Sequence, residues 1–158
     1  LAYILFFIYL VIFCWLLTKI KFISTCGIEK KWIIILFLIR IAAGVFNGYI
    51  NLYHYSGTDA MSFHQEGIIE YHLLFNDPKE YLTNIFTAHY QNTGLLDITD
   101  SFWNNLRNNL LIKLLSIFDI FSRGNFFVNI IFFNFLIFFG CIYFYKISCF
   151  VNGTNDVQ

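Results

Sequence analysis

Charge is what this sequence has least of. Of 158 residues only 13% are Asp, Glu, Lys or Arg, ten basic against ten acidic. The formal net charge is zero, which removes any global electrostatic case for nucleic acid or an acidic partner. With 58% of its residues hydrophobic, the chain is more apolar than a soluble domain can hide from water, and bilayer hydrocarbon is its natural solvent. Spaced cysteine motifs are missing too. Cys14, Cys26, Cys141 and Cys149 stand in or beside apolar runs with no Cys-x-x-Cys or Cys/His ligand spacing. They read as small buried apolar residues, not as zinc ligands or a disulfide framework. No phosphate-cradling glycine loop and no solenoid-length repeat occurs, so nucleotide hydrolysis has no support. Nor does a methionine open the chain. Leu1 begins inside an apolar run with no basic region before it, the pattern expected of a piece of something longer and not of an intact signal peptide.

What is present is an all-α pattern: polytopic transmembrane helices, with amphipathic juxtamembrane helices in a long extracytoplasmic loop. Three uncharged or nearly uncharged runs, about 1–20, 32–50 and 125–146, are long enough to cross the roughly 30 Å hydrocarbon core. Lys19, Lys21, Lys30, Lys31 and Lys146 fall on one expected side, which the positive-inside tendency makes cytoplasmic. The loop, about 51–124, is then extracytoplasmic. Gly44 and Gly48, with Ala43 beside them, set small residues at helical spacing and allow another helix to approach closely. Asn125, Asn129 and Asn134 are the polar positions of the last span, and buried amides there seek partners on another helix. Arg40 is the anomaly. A guanidinium well inside hydrocarbon costs at least a few kcal/mol, so it is expected to face protein, water or a headgroup phosphate, to snorkel, or to pair with another helix.

The candidate chemistry collects between Tyr53 and His72. Ser56 or Thr58 can cap a helix whose first turn holds Asp59, where the helix dipole favours a carboxylate. Spacings of four, three and four put Asp59, Phe63, Glu66 and Glu70 on one face. Asp77, Pro78 and Glu80 carry a second helix start, of a helix expected to run to about Tyr90. Asp100 or Ser101 caps a third, with Trp103, Leu106, Leu110, Leu114, Phe118 and Phe121 on one side and Asn105, Asn109 and Lys113 elsewhere, a pattern that fits a helix lying on a membrane surface. Gly124 supplies a left-handed turn before the last span. His54, His64, His72 and His89 show no helical zinc spacing, so no transition-metal site is expected, although hard divalent cations accept carboxylates such as Asp59, Glu66 or Glu70 without fixed spacing. The sequon Asn152-Gly153-Thr154 falls on the expected cytoplasmic side and reads as chance.

The order of these features resembles the first extracytoplasmic loop of GT-C superfamily integral membrane glycosyltransferases. The residues that carry it run from Tyr55 to His64, from Asn76 to Tyr81, and from Asn109 to Phe118 on through Ser122, Arg123, Gly124 and Asn125 into an apolar span. The resemblance implies an N-terminal portion of a bacterial inner-membrane enzyme that transfers a sugar from a polyprenyl-phosphate carrier to an acceptor at the outer face. Its partners would be the lipid bilayer, the lipid-linked sugar, and helices of the rest of the chain or of another membrane protein, with no nucleic acid. Asp59 matches the acidic residue that serves there as base or metal-assisted acceptor activator, and Arg40, His64 and Glu66 are the candidate substrate-binding residues. Two other classes fit the same composition. A noncatalytic membrane subunit would pack through Gly44, Gly48 and the Asn-bearing span, and a transporter fragment would line a polar path with Arg40 and the amides.

Overall fold

The computed structural model describes residues 2–55, 58–86 and 102–152, the side chains of 86 and 102–105 excepted. Among them 89% are helical and none is in a strand. The chain divides into two compact units, residues 1–50 with 127–158, and residues 51–126.

In the first unit, α1 (Ala2–Lys19), the short α2 (Lys21–Ser24), α3 (Lys30–Tyr53) and α7 (Phe126–Val151) pack around one apolar core. Phe13, Leu17, Ile33, Phe37, Ile41, Ile131, Phe138 and Ile142 are buried there. The ring of Phe13 sits 4.4 Å from that of Phe135 and 5.1 Å from that of Phe132, and Phe37 meets Phe138 edge-on at 5.5 Å. The outer surface is equally apolar, with Tyr3, Phe7, Val11, Trp15, Ile39 and Phe144 all exposed. In water such a surface would be a liability, whereas hydrocarbon solvates it at no cost. α1, α3 and α7 are each long and apolar enough to cross a membrane, which makes this a membrane protein. The third of them continues past Lys146, beyond the expected end of the last span.

Two sequence features explain how α3 and α7 meet. A Cβ on Gly44 would come within 2.9 Å of both Asn134 Nδ2 and Ile130 Cγ2, so the missing side chain is what allows the approach. Lys146 donates to Thr25 Oγ1 at 3.1 Å and lies over the Phe22 ring at 4.4 Å, which fixes it beside the α1–α3 connection and its lysines. The cysteines depart from expectation in part. Cys26 is buried, Cys14 and Cys149 are half-buried, and Cys141 is exposed, where its sulfur accepts from Arg40 Nη1 at 3.4 Å.

The second unit holds α4 (Asp59–Asn76), α5 (Pro78–Thr83), a 3-10 turn at Asn84–Phe86 and α6 (Phe102–Ser122). Asp77 Oδ1 accepts from the Glu80 amide at 3.0 Å with Pro78 in the first turn, so this start is built as its residues suggest. The start of α4 differs. Thr58 takes the extended N-cap backbone, but its hydroxyl makes no cap bond and is buried without a partner. Gly124 has φ +70° as expected, and Arg123 before it is also left-handed at φ 56°, a conformation unfavourable for a residue with a Cβ. Ser56, the helix end near Tyr90, and the caps at Asp100 or Ser101 lie outside the described residues.

α6 encloses polar side chains as well as apolar ones. Asn109, Ile112, Ser116, Phe118, Asp119 and Ser122 are buried, while Leu110, Ile117, Ile120 and Phe121 are exposed. Of the stripe expected to lie on a membrane surface, Leu110 and Phe121 are exposed, Leu106 and Leu114 are half-buried and Phe118 is buried. Likewise α4 buries His64, Gly67 and Glu70 and exposes Ile69 and Phe75.

Candidate functional site

The enclosed positions of α4 and α6, spaced three and four apart, carry amides, hydroxyls, carboxylates and one ammonium beside the apolar Ile112 and Phe118. Glu70 is 1% exposed, and an ionised carboxylate at such depth is costly unless it is paired and hydrogen-bonded. It is both. Lys113 Nζ donates to Glu70 Oε2 and, at 2.6 Å, to Asn84 Oδ1. Asn84 Nδ2 returns a bond to Glu70 Oε1 at 2.8 Å. The ammonium also lies 3.7 Å from the centre of the Tyr81 ring, where the aromatic face stabilises a desolvated cation.

The surrounding shell is closed as well. Ser116 Oγ donates to the Lys113 carbonyl at 2.7 Å, which commits its only proton, so the Tyr81 hydroxyl is the donor in its 3.0 Å bond to Ser116 Oγ. Asn109 Nδ2 donates to the Ile85 carbonyl at 2.7 Å and ties the 3-10 turn to α6. One negative and one positive charge thus occupy a largely enclosed pocket with their hydrogen-bonding capacity largely used. Such an arrangement fixes the register of two helices and gives a low-dielectric core of zero net charge.

A second polar layer lies further along the same pair. His64, Asp119 and Ser122 are buried, and Ser122 Oγ donates to Asp119 Oδ1 at 3.2 Å. Gly67 lies between the layers, and a Cβ there would be 3.0 Å from Leu115 Cβ and 3.3 Å from Asp119 Oδ2. His64 stacks edge-on against Phe126 at 5.1 Å, and its Nδ1 is buried without a hydrogen-bond partner. Burial pushes the imidazole below its ordinary range, and the Asp119 carboxylate opposes that push.

The unfolded chain takes up the His64 proton near 6.5, whereas the folded chain resists it to lower pH. Stability contributed by neutral His64 is therefore full above 6.5 and lost as pH falls through the depressed folded value. Thermal melts between pH 7.5 and pH 5, followed by helix signal, are expected to show this loss, and His64→Phe is expected to flatten it. A parent profile no steeper than the variant's would remove His64 from this role.

Within the second unit, the residues singled out in the sequence differ in exposure. Asp59 is exposed on the first turn of α4, and Glu66 is partly exposed further along the helix. Glu70, on their face by spacing, is instead enclosed, and both its oxygens are taken by Lys113 and Asn84 rather than left for a cation. His64 is buried among protein groups and is not presented on a surface. Arg40 belongs to the other unit, about 20 Å along the axis of α3 from Tyr53. There its Nε donates to Asn134 Oδ1 at 3.0 Å, so the amide of the last span has found the partner expected of it. Sequence reasoning missed Lys113, Asn84, Tyr81, Asp119 and Ser122. The signal was available in Asn109, Lys113, Ser116, Asp119 and Ser122, which form a continuous polar face of α6 opposite the stripe read as lying on a membrane surface. Against protein-family models, curated proteins and solved structures, the chain finds no match.

Proposed function

We propose that the chain is part of a membrane glycosyltransferase of GT-C type, moving a sugar from a polyprenyl phosphate to an acceptor hydroxyl at the outer membrane face. The observation that carries this reading is the position of Asp59, an exposed carboxylate opening α4 shortly after the apolar helix α3 ends at Tyr53. The connection 54–58 reaches at most about 18 Å when extended, which keeps the carboxylate near the headgroup layer where a lipid phosphate resides.

In this role Asp59 accepts the proton of the acceptor hydroxyl as its oxygen bonds to the anomeric carbon. The bond from that carbon to the phosphate oxygen breaks, and polyprenyl phosphate leaves with the electron pair. Glu66, two turns on along α4, accepts hydrogen bonds from sugar hydroxyls. The outward apolar stripe of α6 supports the same placement, since a helix with Leu110, Ile117 and Phe121 exposed suits the boundary between headgroups and acyl chains in an extracytoplasmic juxtamembrane position.

Asp59→Asn, in membranes containing the full-length protein, is expected to lose transfer from labelled polyprenyl-phosphate sugar by about 10²- to 10⁴-fold with insertion unchanged. Equal transfer by parent and variant would return Asp59 to the role of a helix-start residue. A noncatalytic membrane subunit is the second reading, and the surroundings of Arg40 favour it.

A further inference from the structure

Arg40 stands near the middle of α3, about 15 Å from Lys30 and about 20 Å from Tyr53 at the rise of an α-helix. Its guanidinium has five N–H donors, and two protein contacts are made, Nε to Asn134 Oδ1 and Nη1 to Cys141 Sγ. Both acceptors are neutral. Among the described residues no carboxylate lies within ion-pair reach of it, so none of them compensates its charge at a depth where hydrocarbon surrounds the helix.

The neighbouring edge of α3 is open. Leu36, Ala43 and Asn47 are exposed and, at spacings of four and three, share a side with Arg40. On α7, Ile137 and Cys141 are exposed beside Asn134. Asn47 is a second polar group on this edge, two turns from Arg40 and with Ala43 between them, small enough to let a helix come near. From these observations we infer that this edge docks a further transmembrane helix carrying one Asp or Glu at mid-depth, its carboxylate paired with Arg40 and a polar side chain near Asn47. A planar guanidinium fork with unused donors suits a carboxylate bidentately. A second copy of this chain does not meet the requirement, because α1, α3 and α7 contain no Asp or Glu. The inference holds whether or not the chain is a glycosyltransferase.

The test uses the full chain in phosphatidylcholine vesicles and leucine-rich transmembrane peptides of about 20 residues with Glu, Gln or Leu at the centre. Association is read by energy transfer. The Glu peptide is expected to bind about tenfold more tightly than the Leu peptide, with Gln between them. Arg40→Leu should erase the difference, and Arg40→Glu should move the preference to a peptide with a central Lys. The charge swap guards against a variant that merely fails to insert. Equal binding of the Glu and Leu peptides to the parent would overturn the inference, as would a Glu preference that survives in Arg40→Leu. Loss of the preference when phosphatidylglycerol is added would also overturn it, by assigning the guanidinium to lipid phosphate.

Discussion

Glu70→Ala is expected to remove about 3–5 kcal/mol from the α4–α6 pair, the usual cost of breaking a buried ion pair by deleting one partner. The loss does not measure the attraction between Glu70 and Lys113. It measures what remains, an ammonium in a pocket 12% open to solvent, still bonded to Asn84 Oδ1 and stacked on Tyr81 but without its counter-charge. Amide hydrogen exchange in α4 and α6 reads the effect directly, and protection there should fall by on the order of a thousandfold. The double variant Glu70→Leu with Lys113→Met should regain most of that protection, because it removes both desolvation costs together. Protection in Glu70→Ala equal to the parent's would mean that Lys113 finds another anion or reaches water, and that the network does not hold the helices together.

Gly67→Val attacks the same pair through shape. Its Cβ would meet Leu115 Cβ at 3.0 Å and Asp119 Oδ2 at 3.3 Å, and the branches of valine add volume to a contact already tight. Overpacking of this kind costs about 1–3 kcal/mol, and here the displaced neighbour includes a buried carboxylate bonded to Ser122. Exchange should accelerate in both helices about Gly67. Gly140→Val is the control, since a Cβ there meets nothing within 4 Å, and protection in α4 and α6 should be unaffected by it. A loss around Gly140 in α7 as large as that around Gly67 in α4 would point to a general intolerance of the β-branched residue in a helix instead of a specific close approach.

Helix class and the approximate limits of the apolar helices were legible because hydrophobicity and length act locally. A run such as Ala2–Lys19 has no polar face to mislead the reading, and Gly44 announces a close contact by its size. Asp77 with Pro78 was legible for the same reason, as the cap and the group it binds lie within one turn. The polar layers were not. Reading Leu110 and Phe121 as lying on a membrane surface leaves open what the opposite, polar side of α6 meets. Once hydrocarbon is a possible solvent, the sign of the pattern is open. Only pairing with Glu70 on α4 and Asn84 beyond α5 tells which side of α6 is enclosed, and those partners lie far off in sequence. Asp59 and Glu70 show the same limit within one helix. Spacing sets them on one face, but α6 covers only one of them.

The polar side chains enclosed by α4 and α6 also govern how this unit responds to temperature. Unfolding an ordinary domain wets a large buried apolar surface, and the resulting heat-capacity increase of about 12–15 cal/mol/K per residue bends the stability curve into a dome. Here Leu110, Ile117, Ile120 and Phe121 are already outside, and parting the helices wets Glu70, Lys113, Asn84, Asn109 and Asp119 along with Ile112, Phe118 and Tyr81. Newly hydrated polar surface lowers the heat capacity instead of raising it. The heat-capacity increase per residue of this unit is therefore expected to fall below that range, which flattens its stability curve and weakens its low-temperature decline.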